Sequence, residues 1–303
     1  MAWLSTLYHR VNYLIYFLSR YHFSPEFKTL RKLKIHNNEE TLQYILQHRV
    51  SVSRYGDGEF SLLAGHSTGF QKENRQIAEK LREILVSSEP NHIVCVPYPF
   101  KSFKGLKYNT FEYWSSYLLG HFATDIKPFI DERKDYYDTQ ITRFYIDYRS
   151  DRNARRVVPL LKQLWDGKKL VIVEGELSRL GVGNDLFANA ASIERVICPS
   201  TNAFDVYDDI ISTVKAKVPK DALILIALGM TATCLAYDLS KNGYWALDVG
   251  HVDVEYEWFR MKARKRVALP NKYVAETKER FVSDGSVDSA YQSQIIAKVV
   301  SHA

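Results

Sequence analysis

The sequence predicts an α/β fold: a mostly parallel sheet flanked by helices, with an amphipathic helix in front of it. Three observations carry that expectation. Short, nearly continuous apolar runs recur at His92–Val96, Lys169–Val173, Arg195–Cys198, Ala222–Leu228 and Trp245–Val249. Segments with helical apolar spacing alternate with them, as βαβ units require. Glycines sit where the runs end, above all Gly229 before the helix over Cys234–Ser240. Strands buried on both faces read as continuous rather than alternating, which is the signature of a parallel, Rossmann-like sheet.

Composition sets the outer limits. The chain has 303 residues, 46% of them hydrophobic and 25% charged, which suits one large domain or two modest ones. Its net charge of +6 comes without a basic tail. Nucleic acid is therefore not expected as a partner, and acidic small molecules or an anionic membrane surface are. Cys95, Cys198 and Cys234 lie in apolar contexts without a CxxC pair, so a reduced, cytoplasmic protein is expected. The N-terminus lacks the layout of a signal peptide, and no run is long enough to span a bilayer.

In chain order, residues 1–48 form a helical extension. From Met1 to Phe23, Trp3, Leu4, Leu7, Tyr8, Val11, Leu14, Ile15 and Leu18 make an apolar stripe with basic residues beside it. Such a helix suits peripheral contact with an anionic membrane on its cytoplasmic face; the competing expectation is that it packs on its own domain or in a homo-oligomer. A second helix is predicted from Asn38 to about His48.

Residues 49–280 form the main domain. A short strand from Val50 ends at Arg54-Tyr55-Gly56-Asp57-Gly58-Glu59-Phe60. Glycines around an acid let backbone approach a ligand closely, whereas the plainer reading is a helix cap at Asp57. Helices are expected over Gln71–Ser88 and Val157–Trp165, and the aromatic stretch Lys101–Tyr148 reads as helices facing an acceptor or forming a lid. After the strand at Lys169–Val173, Glu174–Ala190 reads as a Gly-rich loop before a helix, containing Arg179, Gly181, Gly183, Asn184 and Asp185. It matches neither the dinucleotide fingerprint nor a Walker loop. Arg179 would pair with phosphate, and Asn184 or Asp185 with a ribose or sugar hydroxyl. Past Asn202 and a helix over Asp205–Lys215 comes the richest unit. Gly229 to Thr231 would offer backbone N–H groups to an anion. A loop carrying His251, Asp253, Glu255 and Glu257 would then hold a cation against that anion. Arg260–Arg266 is a basic run, and the stretch from Lys272 to Ala303, which includes the C-terminal tail, residues 281–303, carries no legible chemistry.

Four segments in order resemble the GT-D-type glycosyltransferases: Arg54–Phe60, Val173–Leu186, Cys198–Phe204, and Ala227–Thr233 continuing through Asp248–Trp258. That family includes glucosyltransferases that extend glycans on streptococcal serine-rich-repeat adhesins. The resemblance spans roughly residues 50 to 280. It implies a nucleotide-sugar domain, a UDP-sugar donor (a hexose such as glucose), and a divalent metal, Mn²⁺ or Mg²⁺, held by an Asp-x-Glu motif. Met230 stands where Pro is expected and Leu177 where Gly is more usual.

Two Asp-x-Glu candidates are present, Asp57-Gly-Glu59 and Asp253-Val-Glu255. The expected metal set is Asp57, Glu59, His251, Asp253, Glu255 and Glu257, with Asp57, Glu59 and Glu255 as catalytic candidates. Arg54, Arg179, Gly181, Gly183, Asn184, Asp185, Asn202, Gly229, Thr231 and His251 are the expected donor-binding residues. The acceptor would be a glycan, a lipid-linked oligosaccharide or a glycoprotein. Two competing readings are a non-catalytic nucleotide-sugar-binding or assembly protein and a metal-dependent phosphohydrolase.

Overall fold

The computed structural model describes residues 2–283 and 289–301, with side chains described from Thr6 onward. Trp3, Leu4 and part of the 281–303 tail thus lie outside the described side chains. Among the described residues, nine strands form one sheet: β1 (Lys34–Ile35), β2 (Ser51–Arg54), β3 (His92–Val96), β4 (Asp135–Asp138), β5 (Lys169–Gly175), β6 (Ser192–Cys198), β7 (Leu223–Ala227), β8 (Trp245–Asp248) and β9 (Ile295–Lys298). Their order is β1-β4-β3-β2-β8-β7-β5-β6-β9, and every pairing between them is parallel. The expected parallel sheet flanked by helices is what forms. Its edge strands β1 and β9 come from the two segments that flank the main domain, and neither is legible in the sequence. β1 has only two residues, and β9 follows a stretch with no periodic pattern.

The helices are α1 (Ala2–Phe23), α2 (Lys28–Lys32), α3 (Asn38–His48), α4 (Asp57–Leu63), α5 (Arg75–Val86), α6 (Tyr108–His121), α7 (Arg152–Leu164), α8 (Tyr207–Lys217), α9 (Met230–Lys241), α10 (Val252–Arg260) and α11 (Ser289–Ser293). The start of α3 shows how sequence fixes a boundary. Asn37 accepts from the N–H groups of Glu39 and Glu40, and Glu40 reaches back to the Asn37 N–H, a complete capping box. Leu42 and Ile45 then face the core. Each face of the sheet is covered: α4, α5, α6, α8 and α9 pack over one face, and α3, α7 and α10 over the other.

The sheet has a seam. β2 and β8 share one paired position, Val52 with Leu247, whereas β5 and β6 share seven. Side chains supply what the ladder lacks. Ser51 Oγ donates to the Tyr244 carbonyl and accepts from the Ala246 N–H. Ser53 Oγ donates to the Thr233 carbonyl, and Thr233 Oγ1 donates to the Arg54 carbonyl. A buried ion pair, Arg54 Nη2 to Asp248 Oδ1 at 2.7 Å, closes the C-terminal end.

Two local expectations are corrected. The carboxylate segment after β8 is a helix, α10, rather than a loop, because Val252 and Tyr256 pair at i, i+4 in one buried cluster while Val254 and Trp258 pair at i, i+4 in another. Conversely, no helix follows the Gly-rich loop. Residues 176–191 run through turns directly to β6, with Gly181 at φ +74 and the Phe187 ring against it. A Cβ at Gly181 would lie 2.3 Å from that ring, so this glycine serves close packing.

A cleft across the seam as the candidate active site

At the C-terminal edge of the sheet, a cavity of about 860 Å³ opens across the seam. Ligands of open parallel sheets bind at this edge, where the order of connection reverses. One wall comes from β2 and α4 (Arg54, Asp57, Glu59), the loop at Phe70, and α6 (Tyr113, Trp114). The other comes from Gly175, Leu177 and Ser178 after β5, Gly229 and Met230 after β7, and His251 and Asp253 after β8. Arg143, Arg266, Tyr273 and Glu276 close it.

Backbone geometry aims the second wall. Gly229, at φ +52, turns β7 into α9 in a conformation that L side chains rarely adopt, and no side chain caps that helix. Its first N–H groups and the positive end of its dipole are therefore available to an anion. Met230 packs its Sδ against Gly58, 3.1 Å from where a Cβ would stand, so the residue found in place of Pro joins the two walls. Thr231 is buried within the first turn of α9 and does not line the cavity.

The expected ligands separate into groups. Asp57 is exposed at the mouth and accepts a hydrogen bond from the Tyr113 hydroxyl. Glu59 Oε2 accepts from the Gly56 N–H at 2.7 Å, and burial, reinforced by the Asp248 carboxylate, pushes its carboxyl up to about 7. His251 Nε2 lies 3.4 Å from Glu276 Oε1. Burial and the nearby Arg143 guanidinium push the imidazole down to about 3, so it is neutral. Burial would raise the Glu276 carboxyl, but His251 and Arg143 outweigh it and hold it at about 2. Since the imidazole is uncharged near neutral pH, the Arg143 guanidinium is the charge that matters there.

The second Asp-x-Glu is tied up differently. Asp253 lines the cavity but accepts from Lys272 Nζ at 2.5 Å and from Asn184. Glu255 is fully buried, does not line the cavity, and accepts the N–H groups of Tyr145 and Ile146 at 2.9 and 3.0 Å. Burial pushes it up to about 7 even with Arg143 Nη1 at 3.9 Å from its other oxygen. Glu257 also lies off the cavity, bonded to Asn184. Among the described residues, no group of three or more His, Cys, Asp or Glu is gathered as a metal-holding cluster.

The Gly-rich loop enters the cavity through Leu177, Ser178 and Leu180. The Arg179 guanidinium stands over the Phe281 and Tyr291 rings, and Asp185 pairs with Lys162 and the Tyr256 hydroxyl. Asn184 braces α10, and Gly183 is away from the lining. Asn202 acts at one remove: its N–H donates to the Phe70 carbonyl and its Oδ1 accepts the Lys72 N–H, holding the loop that places Phe70 on the cavity. Arg54 is spent on the seam, with Nε to the Asp248 carbonyl and Nη1 to Thr142 Oγ1.

Sequence reasoning missed Arg143, Glu276, Tyr113, Arg266 and Tyr273. Tyr113 lay within the aromatic stretch expected to face an acceptor, and Arg266 within the basic run. Arg143 and Glu276 left no local signal, since their partners are far along the chain.

Comparison with known proteins gives a consistent picture. A model of the glycosyltransferase GT-D fold matches residues 52–277. A probable glycosyl transferase Gly of Streptococcus gordonii is 38% identical over 270 residues, 89% of this chain and 39% of that protein. Glycosyltransferase GlyD of Streptococcus pneumoniae serotype 4 is 36% identical over 276 residues, 90% of this chain and 33% of its own length. The chain thus spans under two fifths of the curated relatives it matches. Among solved structures, a highly conserved domain of unknown function 1792 with a distinct glycosyltransferase fold is 39% identical. It superposes with a TM-score of 0.85, covering 91% of this chain and 100% of that one. A glycosyltransferase of the same domain type from Streptococcus sanguinis gives a TM-score of 0.82 at 39% identity, covering 88% and 99%.

Proposed function

From the premise that this chain belongs to the GT-D-fold glycosyltransferase family, we propose that it transfers a hexose from a UDP-sugar to a glycan acceptor, using the cleft across the seam. The observation that carries this reading is the uncapped N-terminus of α9 opening on the cavity, with Arg143 and Asp57 among its lining residues. A diphosphate needs donors and positive charge on one side and charge neutralisation as it leaves. The aromatic faces of Tyr113, Trp114, Phe70 and Tyr273 suit a sugar or base ring.

An all-protein cage for a divalent metal such as Mn²⁺ or Mg²⁺ does not fit, because the acids of the cavity are engaged separately. A site of one or two carboxylates completed by diphosphate oxygens and water does fit, and Mg²⁺ sites are commonly built so. Asp57, which meets a tyrosine hydroxyl rather than a cation, would hold such an ion, and the ion would neutralise charge on the departing UDP. Glu59 titrates closest to neutral pH among the acids lining the cavity that show a resolved shift, and suits the role of base toward the acceptor hydroxyl. Glu255 and Glu257 support α10 and its neighbours. They do not touch substrate on this reading.

Asp57→Asn and Asp253→Asn, made separately and assayed for Mn²⁺-dependent release of UDP from UDP-sugars, test the assignment. Asp57→Asn is expected to lower turnover on the order of 100-fold with the fold intact. Asp253→Asn acts through the Lys272 pair and is expected to cost stability as well as rate. Unchanged turnover in both variants would sink the proposal. UDP-sugar binding without any UDP release would favour a non-catalytic binding protein.

A further inference from the structure

The apolar stripe of α1 is not the face by which α1 holds to the protein. Contact with the body runs through Tyr13, Phe17 and Tyr21. Tyr13 hydrogen-bonds Ser115 and Ser116 of α6, and Phe17 packs edge-on to Phe103 and Phe111. Arg10 stacks on Tyr108 at 4.5 Å. Leu7, Tyr8, Val11, Leu14, Ile15 and Leu18 point elsewhere, with 39% to 66% of each left exposed. At helical spacing these six fall within an arc of about 120°, beside the packed face rather than on it. Single exposed apolar residues are ordinary, but a continuous stripe three turns long marks an interaction site.

Charge points to what covers it. α1 contains no Asp or Glu, and residues 1–34 hold six Lys and Arg against one Glu, so they account for five of the six net positive charges of the chain. Arg20, Lys32 and Lys34 have acidic neighbours at the surface, exposed pairs that screen little of that charge. Among the described residues no helix is long and apolar enough to cross a membrane. An apolar stripe in a helix without acids, followed by a basic segment, matches the lipid–water boundary of an anionic bilayer. Two copies meeting through this face would bring like charges together.

We propose that α1 lies on an anionic lipid surface, with the Leu7–Leu18 stripe at the headgroup–acyl boundary. The geometry also gives this surface a bearing on the cleft. α6, to which α1 is fastened, also supplies Asn109, Thr110, Tyr113 and Trp114 to the cavity, so one helix connects the lipid-facing element to the cleft. The inference is independent of the sugar-transfer reading.

The test is co-sedimentation of the full chain with vesicles of phosphatidylcholine containing about one-third phosphatidylglycerol, against pure phosphatidylcholine. The unmodified chain is expected to partition onto the anionic vesicles and to be released by salt. Leu14→Glu with Ile15→Glu, and independently Leu7→Glu with Val11→Glu, should each lower the partition coefficient about tenfold or more. All four side chains are exposed, so melting temperature should hold, and a melting curve checks that each variant is folded. No partition of the unmodified chain, or equal partition of folded variants, overturns the proposal. So does equal uptake by neutral vesicles. A dimer in solution that the variants split, with lipid partition unchanged, would assign the stripe to a second copy instead.

Discussion

Gly250 shows how tightly single residues are specified around the cleft. It sits at φ +40, and a Cβ there would lie 2.1 Å from Arg54 Nη2, the atom that pairs with Asp248. Gly250→Ala therefore forces both a strained backbone and displacement of a buried guanidinium. A loss of about 2 kcal/mol or more is expected, read as a lower urea midpoint with unchanged slope. Acidic residues carry the pH response. Glu59 and Glu255 titrate near 7 in the folded chain, well above an exposed glutamate. Between those values the folded state holds more protons than the unfolded one, so their contribution is fully present at acid pH and is lost as pH rises through about 7. Glu255→Gln keeps an acceptor for Tyr145 and Ile146 and removes the titration. The fall in stability between pH 5 and pH 8 should be shallower in this variant, by up to about 3 kcal/mol. An unchanged pH slope would place the titration elsewhere. Residue identity alone does not reveal these roles. Asp57-Gly-Glu59 and Asp253-Val-Glu255 are spelled alike, yet one Asp meets a tyrosine at the cleft mouth and the other a buried lysine. Burial and partners separate them, and both come from residues distant in the chain.

At the scale of elements, legibility follows length and periodicity. β3, β5, β7 and β8 are long or apolar enough to read directly, and α3 announces itself by its cap. α10 was obscured because its charged residues suggest a ligand loop and its apolar residues at 252, 254, 256 and 258 alternate as in a strand; in the helix they resolve into two i, i+4 pairs buried in separate clusters. The segment 176–191 misled in the opposite sense. Its glycines suit phosphate binding, but Gly181 instead allows the chain to fold back tightly on Phe187. β4, hidden among aromatics, is a strand because Tyr136 and Tyr137 pack on opposite faces of the sheet. The periodicity of α1 was plain in the sequence; that its stripe faces outward was not, because a helical repeat does not say which side the body occupies.

For the whole molecule, the cleft is assembled from both sides of the seam, so a ligand filling it would touch both half-sheets at once. On the proposed reading, UDP with Mn²⁺ at a large excess over its dissociation constant should raise the melting temperature by roughly 5 °C or more, as mass action stabilises the folded state. No rise at saturating nucleotide would count against binding in this cleft. The order of strands could not have been read from the chain, since it takes β8 next to β2 across nearly 200 residues. That adjacency has a mechanical side. Under load applied to the two edges of the sheet, the line of least backbone bonding is β2 against β8, and Arg54, Asp248, Ser51 and Thr233 are its rivets. The plates they join are also the jaws of the cleft. A change that loosened the rivets would therefore register twice, as a weaker sheet and as a wider, less selective bite.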